Sequence, residues 1–151
     1  MKLKGKIAII TGAGCGHGMS RGFPTIYAQE GANLVLNHYK QDQAKMLEFK
    51  EELESYGSKV ILVEGDISEE ETSEKLVNAA IDEFGRIDIL LNVAGISNPK
   101  LLVDMTTDDW NRMIAVDLTS VFFTCKYVVP VMIKQKSGRI INLASQVGQK
   151  G

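Results

Sequence analysis

The amino-acid sequence predicts a doubly wound α/β fold, in which helices cover both faces of a parallel sheet. One observation is that short runs rich in Ile, Val and Leu alternate along the chain with longer segments whose apolar residues recur at helical spacing. The other is a glycine-dense segment, Thr11 to Gly22, which lies between the first apolar run and the first helical segment. At 151 residues the chain has the length of one ordinary domain, so we predict a single domain over residues 1–151.

The first unit is predicted to consist of a strand, a glycine turn and a helix. Residues Lys6 to Ile10 have the composition of a strand buried on both faces, and helical spacing begins at Phe23. Glycines between them let backbone N–H groups approach the pyrophosphate of a dinucleotide, while the following helix presents its positive dipole end. Surface turns without a ligand also collect glycine, so it is the flanking strand and helix that favour binding here.

The second predicted strand, Asn33 to Asn37, ends without a carboxylate. An acidic side chain at this position would hydrogen-bond the ribose hydroxyls of NAD, and its absence leaves room for the 2′-phosphate of NADP. With Lys40 close by, the sequence favours NADP over NAD, and His38 is an expected cofactor contact. The alternative for Lys40 is a solvated loop residue.

The middle of the chain continues the alternation. Gln41 to Tyr56 has the pattern of an amphipathic surface helix, and Lys59 to Glu64 predicts the third strand. The segment Ser68 to Glu71 resembles a capping box, which predicts a helix running to Phe84. Asp66 either terminates the third strand or accepts a hydrogen bond from an adenine amino group. We favour the second interpretation, because ligands of open α/β sheets collect at the carboxyl ends of the strands.

A fourth strand is predicted from Arg86 to Asn92, and it runs into the small-residue turn Val93 to Gly95, where the backbone can again approach a ligand closely. After an irregular loop, Thr106 and Asp109 are expected to cap a long helix that begins near Trp110 and ends near Gln135.

Two residues of that long helix break its apolar pattern. Asp117 interrupts the stripe, so its carboxylate must lie at an edge or in a polar network, and Pro130 predicts a kink. Arg139 to Leu143 then predicts a fifth strand, with Ser145 beyond its carboxyl end.

Composition excludes several classes of function. The chain is 44% hydrophobic and 24% charged with a formal net charge of −2, and its basic residues are scattered, which argues against nucleic-acid binding. We expect no membrane-spanning run, no signal peptide and a cytoplasmic location. The two cysteines, Cys15 and Cys125, are expected to be reduced thiols. Cys15 and His17 lack the further donors that a metal site needs, so no metal is predicted.

The ordered motifs resemble those of the short-chain dehydrogenase/reductase family over essentially the whole chain. Thr11, Gly12, Gly16 and Gly18 are similar to the T-G-x-x-x-G-x-G cofactor loop of the family. Asp66 and Ile67 resemble its adenine-contacting pair, and Asn92, Ala94 and Gly95 its N-N-A-G turn. The helical stretch 116–122 is similar to the one that carries the catalytic asparagine, and 141–145 to the strand that ends at the catalytic serine.

This resemblance implies a Rossmann-like sheet with strand order 3-2-1-4-5, NADP or NAD as cofactor, and a small alcohol or carbonyl substrate. It implies that the motif residues above, together with Met19 and Ser20, hold the cofactor. It further implies that Ser145 hydrogen-bonds the substrate oxygen and that Asp117 stands in the proton relay.

The sequence departs from the family pattern in its cofactor loop and in the relay. If Gly18 is the last glycine of the motif, the gap from Gly18 to Glu30 is about two residues longer than usual and Pro24 falls inside the helix. We favour a second alignment. Placing Gly18, Met19 and Ser20 on the usual Gly-Ile-Gly puts the insertion within Gly14 to His17 and puts Pro24 in the tolerant first turn of the helix. In the relay, an aspartate at position 117 replaces asparagine and cannot donate a hydrogen bond as an amide does.

The third departure concerns the acid/base pair of the family, Tyr-x-x-x-Lys. The chain has four tyrosines, and none is followed by lysine four positions later. We therefore expect the amino-terminal part of such an enzyme, truncated after the fifth strand, with little or no hydride transfer. The alternative is a non-catalytic dinucleotide-binding or interaction module. Apolar faces left uncovered on the long helix and the fifth strand predict self-association, for example as a homo-oligomer, or aggregation.

Overall fold

The computed structural model describes residues 1–146, which form a five-stranded parallel sheet flanked by helices. The strands are β1 (Ile7–Ile10), β2 (Asn33–His38), β3 (Val60–Glu64), β4 (Ile89–Asn92) and β5 (Arg139–Asn142). The helices are α1 (Met19–Gln29), α2 (Gln43–Ser55), α3 (Glu70–Phe84), α4 (Thr107–Ile114) and α5 (Ser120–Gln135), with a short 3-10 helix at Leu102–Asp104. A π-helical turn, Ala115–Thr119, joins α4 to α5 and is called the π segment below.

The strand order is β3-β2-β1-β4-β5, which confirms the predicted Rossmann-like topology. All four neighbouring pairs are parallel, so the carboxyl ends of the strands meet at one edge of the sheet. Strands β2 and β3 are added on one side of β1, and β4 and β5 on the other side. Open α/β sheets bind their ligands at this switch point, between β1 and β4.

Alternate residues of the strands supply two cores, one on each face of the sheet. Ala8 and Ile10 of β1 pack with the buried side chains of α1 and α2, including Phe49 and Leu53. Ile9 points to the other face, and the residues packed there come from β2, β4, α3 and α5: Val35, Leu90, Leu76, Val77, Ala80, Val128 and Met132. Helices thus cover both faces of the sheet at β1, and this is why every residue of this apolar strand is buried.

The predicted capping of the long helix is confirmed. Thr106 Oγ1 accepts from the Asp109 amide, and the Asp109 carboxylate accepts in return from the Thr106 amide. The helix begins at Thr107, and the sequence did not indicate the π segment that interrupts it at Asp117. Pro130 lies inside α5.

The expectation that no segment is long and apolar enough to cross a membrane needs correction. The continuous helix Thr107–Gln135 has 29 residues and contains an 18-residue window with a mean hydropathy of 1.5. Of that window, 28% is buried in the protein. Helices that pack in the core of soluble proteins meet the same criterion, so this is weak evidence for a membrane span. Several of its apolar side chains are exposed on the described part of the chain, including Leu118, Phe122 and Ile133.

Two local predictions are wrong. Ser68 does not cap α3, which has Glu69 at its N-cap and no side-chain cap. Pro24 does not lie in the first turn of α1, because α1 already begins at Met19 and Pro24 falls in the second turn. There the proline cannot donate to the Ser20 carbonyl, and the Gly14 amide donates to that carbonyl instead, at 3.1 Å. The glycine loop thus satisfies the acceptor that the proline leaves open.

Candidate functional site

A cavity of about 450 Å³ lies at the carboxyl edge of the sheet, beside the switch point. Its walls come from the glycine loop, the ends of β2, β3 and β4, and the helix that carries the π segment. The lining residues are Gly12, Ala13, Met19, Ser20, Asn37, Tyr39, Gln41, Asp66, Ile67, Val93, Ala94, Gly95, Ile96, Arg112 and Val116. The structure therefore brings together most of the segments that the sequence proposed as a cofactor site.

The start of the glycine loop is locked against the turn after β4. Thr11 is buried, and its Oγ1 accepts from the amides of Val93 and Ala94 at 3.1 and 3.2 Å. Gly12 has φ +67°, and a Cβ built there would lie 2.6 Å from the Cα of Ala94. Glycine is thus required at position 12 by its backbone conformation and by the close approach of the two turns.

The end of the loop leads into α1 with its helix terminus open. Gly18 is the N-cap of α1 with φ +83°, no side chain caps the helix, and its first turn holds no acidic residue. A Cβ at Gly16 or Gly18 would meet nothing within 4 Å, so this backbone borders open space. Met19 and Ser20, in the first turn, line the cavity. An uncompensated positive dipole end beside exposed backbone is a good environment for an anion.

Sequence reasoning missed Arg21, which ties the glycine loop to α2. Its Nη1 donates to the Cys15 carbonyl at 3.1 Å, and its guanidinium forms an ion pair with Glu52. The guanidinium also lies 4.5 Å from the centre of the Phe49 ring. A single arginine in a helix has no sequence pattern that would reveal these contacts, because its partners lie in other elements.

The end of β2 contributes alternate side chains to the cavity. Asn37 is buried, its Oδ1 accepts from the Gly12 amide at 3.3 Å, and its Nδ2 donates to the Gly65 carbonyl at 2.9 Å. Tyr39 and Gln41 line the cavity, whereas Lys40 does not. Lys40 instead takes a left-handed conformation with φ +50°, and its Nζ lies 4.9 Å from the Tyr39 ring.

The structure does not place His38 in this cavity, contrary to the expected cofactor contact. The side chain is only 5% exposed and lies on the opposite face of the sheet, at a separate cavity of about 190 Å³. Neighbouring residues of a strand point to opposite faces, and Asn37 and Tyr39 take the face of the main cavity. Burial lowers the pKa of His38, and the nearby Glu64 carboxylate opposes that shift. The Nδ1 atom is buried without a hydrogen-bond partner.

Asp66 and Ile67 line the cavity where β3 ends. The Asp66 carboxylate accepts from the amide and hydroxyl of Ser68 at 3.0 and 2.7 Å, and it forms an ion pair with Arg112 of α4 at 2.8 Å. Burial acts to raise the pKa of Asp66, but the hydrogen bonds from Ser68 and Arg112 outweigh it and hold the pKa below its ordinary value. Asp66 is thus a fixed, ionised hydrogen-bond acceptor at the rim of the cavity.

Asn92 stands behind the cavity, in the sheet. Its Oδ1 accepts from Thr124 Oγ1 at 2.9 Å, and its Nδ2 donates to Asn142 Oδ1 at 2.9 Å. These bonds link β4 to α5 and β5. Asn92 therefore supports the following turn, whereas Ala94 and Gly95 themselves line the cavity.

The two residues proposed for catalysis lie at the edge of the site. Asp117, in the π segment, accepts from the Ile96 amide at 2.8 Å and so holds the loop that leaves the Gly95 turn. Ser145 is exposed beyond β5 and is not among the residues that line the cavity. Within residues 1–146 there is no group of three or more His, Cys, Asp or Glu side chains that could hold a metal ion.

Comparison with known proteins gives consistent matches. A family model described as short chain dehydrogenase matches residues 6–151. The chain is 36% identical to the 3-oxoacyl-(acyl-carrier-protein) reductase FabG of Thermotoga maritima over 151 residues, which are all of this chain and 60% of the relative. It is also 36% identical to a 3-oxoacyl-(acyl-carrier-protein) reductase of Synechocystis, over 99% of this chain and 59% of that protein.

Solved structures agree with these matches. A protein from Burkholderia xenovorans assigned to the short-chain dehydrogenases/reductases superposes with a TM-score of 0.88 and 35% identity, over 98% of this chain and 59% of that one. A Serratia marcescens short-chain dehydrogenase/reductase mutant gives a TM-score of 0.86 at 26% identity, with 97% and 58% coverage. The chain thus spans about three fifths of the length of the proteins it matches.

Proposed function

The chain belongs to the short-chain dehydrogenase/reductase family, and we propose that its cavity holds a nicotinamide dinucleotide for hydride transfer to or from a small alcohol or carbonyl. One observation carries the proposal. The glycine loop, Asp66 with Ile67, and the Ala94–Gly95 turn come from three distant parts of the sequence and share the walls of one cavity at the switch point. Such a cavity has the location that dinucleotides take in open α/β sheets.

The residues that line the cavity, and the part of the glycine loop that precedes α1, suit the parts of a dinucleotide. The open backbone at Gly16 and Gly18 and the uncapped start of α1 suit the pyrophosphate. The ionised Asp66 carboxylate suits the adenine amino group, and the small residues Ala94 and Gly95 let the chain approach closely. When bound, the nicotinamide supplies the hydride chemistry, while this chain binds and orients it.

We propose a preference for NADP over NAD. The end of β2 offers Asn37 and Tyr39 to the cavity and no carboxylate that would repel a 2′-phosphate. Lys40 is adjacent, and its Nζ lies 4.9 Å from the centre of the Tyr39 ring, so a positive charge stands beside this end of the cavity. Parallel titrations with NADPH and NADH test the preference, and tighter binding of NADH would contradict it.

The 151-residue chain by itself is expected to bind dinucleotide without turning it over. Its sequence has no Tyr-x-x-x-Lys pair, so it lacks the group that exchanges a proton with the substrate oxygen. Asp117 Oδ1 already accepts from the Ile96 amide, and an ionised carboxylate accepts hydrogen bonds but does not donate them. NADPH oxidation should stay at background with a panel of ketones that begins with a 3-oxoacyl-(acyl-carrier-protein), the substrate in the names of two relatives. Turnover well above background would refute this expectation.

A non-catalytic binding or interaction module is the second candidate. It is favoured by a well-formed cavity in a chain that has no Tyr-x-x-x-Lys pair. It is also favoured by exposed apolar side chains on α5 and β5, such as Phe122, Ile133 and Ile141. These side chains suit self-association of the chain. Sedimentation equilibrium of the chain tests this, with a monomer at all concentrations as the contradicting result. The cytoplasmic location predicted from the sequence stays a prediction.

A further inference from the structure

We propose that Arg112 is a positioning residue for the adenine end of the cavity, and that it holds the Asp66 carboxylate in the orientation that accepts a hydrogen bond from the adenine amino group. The inference rests on the proposed function, since it requires a dinucleotide in the cavity. It assigns a role to a residue of α4 that belongs to none of the sequence motifs.

Arg112, Asp66 and Ser68 form a closed ring of side-chain contacts. Arg112 Nη2 lies 2.8 Å from Asp66 Oδ2, and Arg112 Nη1 donates to Ser68 Oγ at 2.8 Å. Ser68 Oγ donates in turn to Asp66 Oδ1 at 2.7 Å, and the Ser68 amide donates to the same oxygen at 3.0 Å. The two carboxylate oxygens are thus held from two directions, one by the loop after β3 and the other by α4.

The ring leaves the carboxylate one place for a further donor. An ionised carboxylate offers about four acceptor positions. Three are taken by the Ser68 amide, the Ser68 hydroxyl and Arg112. Asp66 is 17% exposed and lines the cavity, so the remaining position is open to a ligand there. The fixed orientation of the carboxylate makes that position specific for a donor such as an amino group.

Two features separate this ion pair from ordinary surface pairs. Arg112 itself lines the cavity, whereas the other arginine–aspartate pair of the described chain, Arg86 with Asp88, lies at the opposite end of the strands. Moreover, Ser68 is available to the ring because Glu69, and not Ser68, stands at the N-cap of α3. The pair therefore connects α4 to the cofactor edge at the point where the adenine contact is expected.

The test compares two coenzymes in one binding assay. Wild-type chain, Arg112→Gln, Arg112→Lys and the control Arg86→Gln are titrated with NADPH and with its hypoxanthine analogue, whose ring carries a carbonyl in place of the amino group. Wild type should prefer adenine by on the order of tenfold, as for one hydrogen bond to a charged acceptor. Arg112→Gln should reduce that preference by about fivefold. Arg86→Gln, which also loses a guanidinium that holds an aspartate, should keep it within about twofold.

The preference ratio separates positioning from a merely structural role. If Arg112 only stabilises the fold, both affinities fall together and the ratio stays at the wild-type value, which would overturn the inference. Arg112→Lys keeps the charge but cannot contact Asp66 and Ser68 with a planar fork, so its ratio should lie between wild type and Arg112→Gln. If Arg112→Gln does not fold, a wild-type ratio in Arg112→Lys overturns the inference. Failure of wild type to bind either coenzyme would overturn the proposed function as well.

Discussion

Replacement of Gly12 by alanine should destabilise the chain more than the same replacement at Gly85. Both glycines have nearly the same left-handed backbone, with φ +67° and +70°. An L-residue in that conformation costs about 1–2 kcal/mol, and this cost applies to both sites. The surroundings differ, because a Cβ at Gly12 would lie 2.6 Å from the backbone of Ala94, whereas a Cβ at Gly85 would meet nothing within 4 Å.

The contact with Ala94 sets the size of the difference. Backbone cannot move aside as a flexible side chain can, so the two turns must separate, and overpacking of this kind costs about 1–3 kcal/mol. We therefore expect Gly85→Ala to lose about 1–2 kcal/mol of unfolding free energy and Gly12→Ala about 2–5 kcal/mol. The entropy that alanine removes from the unfolded chain is the same at both positions and cancels in the comparison.

Urea unfolding followed by far-UV circular dichroism measures both losses. Gly12→Ala should also weaken NADPH binding, because the separated turns line the cavity, while Gly85→Ala at the end of α3 should leave binding unchanged. Equal destabilisation by the two substitutions, or NADPH binding unaffected by Gly12→Ala, would refute the argument that the glycine loop and the Ala94 turn form one rigid wall.

Three further predictions concern single side chains. Thr11→Val keeps the shape but leaves two amides without their acceptor, so unfolding free energy should fall by about 1–3 kcal/mol in urea melts; a loss below about 0.5 kcal/mol would contradict this. Burial lowers the pKa of His38, so the unfolded chain takes up the proton before the folded chain does as pH falls. The free energy of unfolding should therefore be highest above the ordinary pKa of about 6.5 and should decrease from there down to the lowered pKa of the folded chain. Urea melts at several pH values should show that decline, His38→Leu should flatten it, and an unchanged slope in the variant would refute the assignment. Asp117→Asn retains an oxygen that can accept from the Ile96 amide, so its stability should lie within about 0.5 kcal/mol of wild type, whereas Asp117→Ala should lose about 1 kcal/mol; equal losses would contradict the contact.

The sequence was sufficient to predict the sheet. The apolar runs that became β1 to β5 are short and bounded by glycine or charged segments, and five such runs alternating with helical patterns leave few other folds. The order of the strands came from family resemblance, and the structure confirms it. The ends of elements were less accurate. The predicted fourth strand, for example, began at Arg86, whereas β4 begins at Ile89. The Asp88 carboxylate just before it accepts from Arg86 and from the Ile7 amide.

The features that the sequence did not predict have a common cause. The face on which His38 lies depends on the register of β2, which the sequence pattern of a fully buried strand does not reveal, since such a strand has no polar alternation. The role of Ser68 depended on Arg112, which lies 44 residues away. The position of Pro24 depended on the Gly14 amide, which replaces the missing donor. Local patterns predicted local structure, whereas these features are decided by contacts between distant segments.

The most direct test of the account is to map NADPH binding on the folded 151-residue chain by NMR, a method suited to its mass of 16.6 kDa. Amide shift changes should be saturable and should cluster at Gly12 to Ser20, at Asp66 and Ile67, and at Ala94 and Gly95, with His38 affected less than Tyr39. Saturable shifts confined to another surface, or the absence of any shift with both NADPH and NADH, would contradict the claim that this cavity is a dinucleotide site.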